Sequence, residues 1–258
     1  MTTVDPGALA YEERGPVDAS RLVLLHGFTQ NAGCWSPFDD ALAPYYRLRL
    51  VDAPGHGASG HERADLVDAA WLLGLVGGRS DYLGYSMGGR IALRLALDSP
   101  GLVERVVLIG ASPGLLDDDE RDARLERDLA LADRLETLGL EPFVDEWLAQ
   151  PIFATLPPAA AHRDARRRNT ATRLASSLRS LGTGAQEPLW DRLGELAMPM
   201  LLIVGTDDRK FASIARDMAD AVGSNAEVAL VQGAGHAAHL EQPDRTATLV
   251  LDWLRRVR

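Results

Sequence analysis

The chain has 258 residues, 46% of them hydrophobic, with a formal charge of −10 and a single cysteine, Cys34. That acidity argues against a nucleic-acid partner, because neutralising phosphates needs a basic surface. No apolar run approaches the ~18 residues of a membrane span, and one cysteine excludes an intramolecular disulfide or a Cys-rich metal cluster.

In chain order, the opening MTTVDPGALAYEERG carries neither a basic n-region nor an apolar core, so no secretory signal and a cytoplasmic location are expected. Short apolar runs then recur at the spacing of βα units: RLVLLHG (21–27), YRLRLVDAPG (46–55), SDYLGYS (80–86), VERVVLIGAS (103–112), PMLLIVGTDD (199–208) and AEVALVQGAGH (226–236). Each closes on Gly, Asp, Ser or His, as strands covered on both faces do when polar residues line their C-terminal ends. Helical periodicity lies between several of them, clearest at 87–98 and 241–257. The alternation predicts an α/β fold with a mostly parallel central sheet flanked by helices.

Between about 115 and 195 the strands stop. LLDDDERDARLERDLALADRLETLG is charged and helical, with leucines at 125, 129, 131, 135 and 138, and no strand pattern follows before PMLLIVG. The expected organisation is a core of 1–114 and 196–258, with 115–195 inserted as a helical cap that walls a substrate chamber.

GYSMGG (84–89) sits at a strand end and opens a helix. Composition alone supplies roughly 0.1 GxSxG strings in a chain like this one, and the strand–turn–helix setting strengthens the motif. A serine there protrudes at the strand end while the helix N-terminus aims free N–H groups at developing negative charge. Ser86 is therefore the candidate reactive serine, with Gly84 and Gly88 permitting close backbone packing around a strained turn. In this architecture the order is Ser, acid, His. His236, ending GAGH after the last strand, is the candidate base; His239, three residues on, is given a supporting role. The acid should leave MLLIVG, where Asp207 and Asp208 are equally placed. The backbone N–H groups of Phe28, in LHGF, and of Met87 are placed to form an oxyanion hole. His26 reads as structural, His56 in PGHGAS as turn-stabilising, and Cys34 as a buried thiol.

Taken together, LHGF, PGHGAS, GYSMGG, GTDD and GAGH resemble the α/β-hydrolase superfamily across essentially the whole chain. HGFTQNAGCW, GYSMGGRIAL, EWLAQPIFATL, RRRNTATRLASSLRSLGTGAQEPLW, GTDDRKF and GAGHAAHLEQP are similar to one branch of it. That branch is the 2-succinyl-6-hydroxy-2,4-cyclohexadiene-1-carboxylate synthases (MenH), cofactor-free lyases of menaquinone biosynthesis that eliminate pyruvate. The resemblance implies Asp208 as the acid, from the run Asp, any residue, Lys, Phe. It also implies substrate contacts by Tyr85, Arg90, Arg124, Trp147 and Arg168, with Arg166 or Arg167 as alternatives to Arg168 and Arg121 as one to Arg124. The family's substrate is a small tricarboxylate, and an acidic protein meets such an anion with planar, permanently charged guanidinium forks. A serine hydrolase acting on esters or C–C bonds is the competing expectation, and a catalytically dead binding protein a weaker one, since every triad position is filled.

Overall fold

In the computed structural model, which describes residues 8–61 and 63–257, one sheet is built from β1 (Tyr11–Arg14), β2 (Arg21–Leu25), β3 (Arg47–Val51), β4 (Ser80–Tyr85), β5 (Val103–Ile109), β6 (Met200–Gly205) and β7 (Ala226–Val231). Their order is β1-β3-β2-β4-β5-β6-β7. Only β1 runs antiparallel, against β3. The six apolar runs of the sequence each contain one strand. β1 had no such signal, because YEER is held at the edge by charge: Glu13 pairs with Arg47 at 2.7 Å and with Arg49 at 2.5 Å.

Neighbouring residues of one strand serve opposite faces, as the period of two requires. Val23 and Leu25 of β2 pack into one core with α2 (Leu66–Gly77) and α3 (Met87–Asp98). Leu22 and Leu24 pack into the other, with α1 (Phe38–Leu42) and the C-terminal helix. All six residues of β4 are buried, which explains why its sequence reads as a continuous rather than alternating run. Asp65 caps α2 by accepting from the N–H groups of Val67 and Asp68, both at 2.9 Å. Removing a fully buried leucine such as Leu24 to alanine costs about 2–5 kcal/mol in a core of this kind.

Between β5 and β6 the described residues form no strand. They form α4 (Asp118–Leu138), α5 (Leu140–Leu148), α6 (Arg163–Arg166) and α7 (Ala171–Leu181), joined by short 3-10 turns. Ala132 and Leu135 of α4 meet Phe143, Leu174, Ala175 and Leu178 in a small core of their own. The stripe is narrow: Leu135 is fully buried while Leu129 is 40% exposed. Polar latches tie this excursion to the sheet loops, with Asn31 Nδ2 donating to Ala165 O at 2.5 Å and Asn169 Nδ2 to Thr29 O at 2.8 Å.

After β6 come α8 (Arg209–Val222), α9 (Ala238–Glu241) and α10 (Pro243–Arg256). The final helix thus starts at Pro243 instead of 241, since proline suits a first helical position and not an interior one. No helix of the described residues is long and apolar enough to cross a membrane. From β2 the chain moves to β3 on one side, and from β4 to β5 on the other. The crevice outside the C-terminal ends of β2 and β4 is therefore the switch point, where ligands of doubly wound sheets bind.

Candidate active site

Ser86 occupies that crevice, between β4 and α3, with φ +50° and ψ −109°. A non-glycine residue at positive φ is strained, and the backbone around it is tight enough to hold it there. A Cβ on Gly84 would stand 2.5 Å from Gly88 O, and one on Gly88 would collide with Leu25 O.

Ser86 Oγ lies 3.1 Å from His236 Nε2, and His236 Nδ1 lies 2.8 Å from Asp208 Oδ2. The Asp208 contact favours the tautomer with the proton on Nδ1, which leaves Nε2 free to accept from the serine hydroxyl. Asp208 also caps α8, its Oδ1 accepting from Phe211 N at 3.2 Å, so both oxygens are held. Asp207 is exposed, and among the described residues its carboxylate accepts only from Thr206 Oγ1, at 3.4 Å. The geometry thus separates two aspartates that spacing could not.

His239 does not reach Ser86 or Asp208 by any hydrogen bond. It is fully buried with ring centroids 4.4 Å from Tyr85, 5.0 Å from Trp35 and 5.8 Å from Phe38, and neither nitrogen has a partner among the described residues. Burial and neighbouring positive charge hold it well below the ordinary histidine range. His26 donates to Gly27 O at 2.9 Å and accepts from Ala53 N at 3.0 Å, joining the two loops beside the crevice, and burial lowers its pKa to about 4. His56 closes its turn onto Pro54 O at 2.9 Å. Cys34 is buried.

A cavity of about 530 Å³ opens on Ser86 and His236, walled by Arg124, Trp147, Lys210 and Phe211. A narrower extension of about 70 Å³ continues past Ser86 between Phe28, Met87, Arg90 and Gly182. Met87 begins α3, where first-turn N–H groups lack intrahelical acceptors. The edge of Phe28 meets Trp147 at 5.0 Å, so a core loop and the inserted helices share the wall.

Arg90 is 7% exposed, and its guanidinium donates to Gln186 Oε1 at 2.8 Å and to Leu181 O at 2.6 Å. Among the described residues it has no carboxylate partner. Burial, with help from the Arg124 guanidinium, lowers its pKa to about 10, so it is charged at neutral pH. Arg124 instead donates to the buried carboxylate of Asp128 at 2.8 Å, and Asp128 also accepts from Gly184 N at 3.1 Å. Tyr85 and Arg168 do not line either cavity. Tyr85 is buried with its ring 5.5 Å from that of His236. Arg168 is exposed, against Gly33. Arg166, two residues earlier, is the buried one, donating to Thr29 Oγ1, to Ala161 O at 2.8 Å and to Phe28 O at 3.4 Å, and so backs the loop that presents Phe28.

Two supports were not singled out in the sequence. Glu241 accepts from Gly235 N at 2.7 Å and from Ala237 N at 3.0 Å, gripping the backbone on both sides of His236. Asn169 Oδ1 accepts from Gly57 N at 2.7 Å while its amide nitrogen reaches Thr29 O, linking two core loops to the inserted helices. Glu241 stands five residues after His236 in GAGHAAHLE, a spacing that could have marked it.

A parallel sheet with a strained serine at its switch point, hydrogen-bonded to a histidine that a carboxylate orients, defines the hydrolase-type scaffold. The chain belongs to the alpha/beta hydrolase family, whose model matches residues 22–249. Among its relatives, a Bacillus subtilis (strain 168) protein provisionally named 2-succinyl-6-hydroxy-2,4-cyclohexadiene-1-carboxylate synthase is 35% identical over 270 residues, covering 98% of this chain and 97% of that one. The synthase of the same name from Serratia proteamaculans (strain 568) is 32% identical, covering 94% and 96%. Among solved structures, MenH from S. aureus superposes with a TM-score of 0.89 at 31% identity, covering 95% of this chain and 98% of that one.

Proposed function

We propose that the protein is a lyase that eliminates pyruvate from 2-succinyl-5-enolpyruvyl-6-hydroxy-3-cyclohexene-1-carboxylate, giving 2-succinyl-6-hydroxy-2,4-cyclohexadiene-1-carboxylate in menaquinone biosynthesis. Similarity to synthases of that name along nearly the whole chain supports the reaction. The observation that carries it at the site is Arg90, a buried guanidinium without a carboxylate partner among the described residues, beside Ser86. Such a cation is costly to bury and has a use when an anion arrives. The substrate brings three carboxylates. In this reading Arg90 and Arg124 receive them, Trp147 covers the ring, Tyr85 acts through its packing on His236, and residues 115–195 serve as the cap.

Ser86 takes the proton from the carbon beside the succinyl ketone while its own proton passes to His236 Nε2, and Asp208 stabilises the imidazolium. The ketone oxygen gains charge against the N–H groups of Phe28 and Met87, donors worth about 2.7–4 kcal/mol each in such sites. The enolate electrons move through the ring double bond and expel the enolpyruvyl oxygen. His236 returns the proton to the departing enolpyruvate, which becomes pyruvate. No water is consumed, no bond to Ser86 forms and no cofactor is used.

The test is a lactate dehydrogenase-coupled assay of pyruvate release from the enolpyruvyl substrate, with intact-mass spectrometry of the protein quenched during turnover. Pyruvate and the cyclohexadiene should appear in equal amounts from unmodified protein. A kinetically competent adduct on Ser86, or ester hydrolysis without pyruvate release, would return the chain to the hydrolases.

A further inference from the structure

The acceptors that hold Arg90 are both neutral. Gln186, 3% exposed, offers its Oε1, and Leu181 offers a backbone carbonyl. The nearby buried carboxylate, Asp128, is engaged by Arg124 and by Gly184 N. Arg124 thus takes the carboxylate of Asp128, and the charge of Arg90 is left without a carboxylate partner among the described residues. The amide is also an expensive choice for folding. With Oε1 turned to Arg90, Nε2 is buried with no partner among the described residues, a state that penalises the folded chain. A glutamate has the same length and would meet the guanidinium with a charge-assisted bond. Stability alone therefore favours the carboxylate at 186, and the chain carries the amide.

We propose that Gln186 is a specificity-determining positioning residue, which aims Arg90 through a neutral oxygen so that the guanidinium's charge stays available to an anionic substrate. The inference rests on the proposed function, in which Arg90 receives a substrate carboxylate. Glu at this position would supply that carboxylate from within the protein and close the site to anions, with the fold kept.

The experiment compares Gln186→Glu and Gln186→Met with the parent chain and with Arg90→Ala, by steady-state pyruvate release and by melting temperature. Gln186→Glu should melt at or above the parent temperature while its KM rises on the order of 10- to 100-fold, with kcat changing less. Gln186→Met, which keeps the free charge and loses the acceptor, should raise KM by less. If the amide only fills space, the order reverses: Gln186→Glu keeps the parent KM and Gln186→Met is the damaged variant. That reversal, with Arg90→Ala still raising KM, overturns the inference and leaves the role of Arg90 standing. A Gln186→Glu chain that does not fold overturns it too, because the carboxylate must fit the amide's place. Arg90→Ala with an unchanged KM would instead remove the carboxylate contact on which the inference depends.

Discussion

Asp207 and Asp208 are adjacent and chemically identical, yet one has both carboxylate oxygens held and the other faces water. Asp208 bridges His236 Nδ1 and the N–H of Phe211, whereas the carboxylate of Asp207 meets only a threonine hydroxyl among the described residues. Ser86→Ala, His236→Ala and Asp208→Ala should each lower kcat for pyruvate release on the order of 10³-fold or more, as losses within one proton-transfer unit do. Asp207→Ala should stay within about twofold of the parent, a contrast that the same steady-state assay reads. Greater damage from Asp207→Ala would break the assignment. Ser86, His236 and the strand that supplies the acid were legible from chain order alone, because strand ends recur in sequence. The arginines were not. RRR straddles a helix end, Arg166 closing α6 and Arg167 and Arg168 lying in the turn that follows, and what selects among them is the loop at 28–31, which is distant in sequence. Arg166 turns to Thr29 and Phe28, while Arg168 turns out to Gly33.

At the scale of elements, the loop bearing His236 has a support of its own. α9 is only four residues long, and its Glu241 folds back to accept from Gly235 N and Ala237 N. Glu241→Gln keeps the shape but weakens one or both bonds. Hydrogen bonds to a charged group are worth about 1.5–3 kcal/mol. The melting temperature should therefore drop by several degrees. Because the displaced group is the proposed base, kcat should fall on the order of 10-fold with KM little changed. Calorimetry and the coupled assay on one preparation separate the two effects; a lowered melting temperature with the parent kcat would make Glu241 a stabiliser only. Sequence periodicity found the long elements because burial repeats in them. It passed over β1 and α9, which are set by ion pairs and loop closure, and neither leaves a periodic trace.

Across the whole molecule, three fully buried histidines resist protonation. Burial brings His26 to about 4 and His56 to about 3 from an ordinary 6.5, and His239 well below it. A depressed folded-state pKa stabilises the fold fully above the unfolded value near 6.5, and that contribution is lost as pH falls toward the folded values. At pH 5 the unfolded chain holds protons that the folded chain refuses, at about 1.36 kcal/mol per pKa unit for each group. Urea unfolding should therefore show stability falling by roughly 4 kcal/mol or more between about pH 7.5 and pH 5. Asp39 and Asp52 are shifted the other way, raised by burial, and moderate the loss only as they take up protons. A flat profile across this interval would mean that these histidines are charged in the folded protein.

The helical excursion leaves the sheet after β5 and rejoins it at β6, and those strands are paired directly, Ile109 beside Ile203. Its two ends are thus set side by side by the sheet's own hydrogen bonds, and lengthening or exchanging the segment between them adds little closure entropy. Yet Arg90 is encoded before the excursion, while Leu181 and Gln186, which hold it, are encoded inside. Under the proposed roles, recombination that swaps the excursion would retune that arginine without altering its codon, so a lineage of this fold would change which anions it accepts while inheriting its proton-transfer residues untouched.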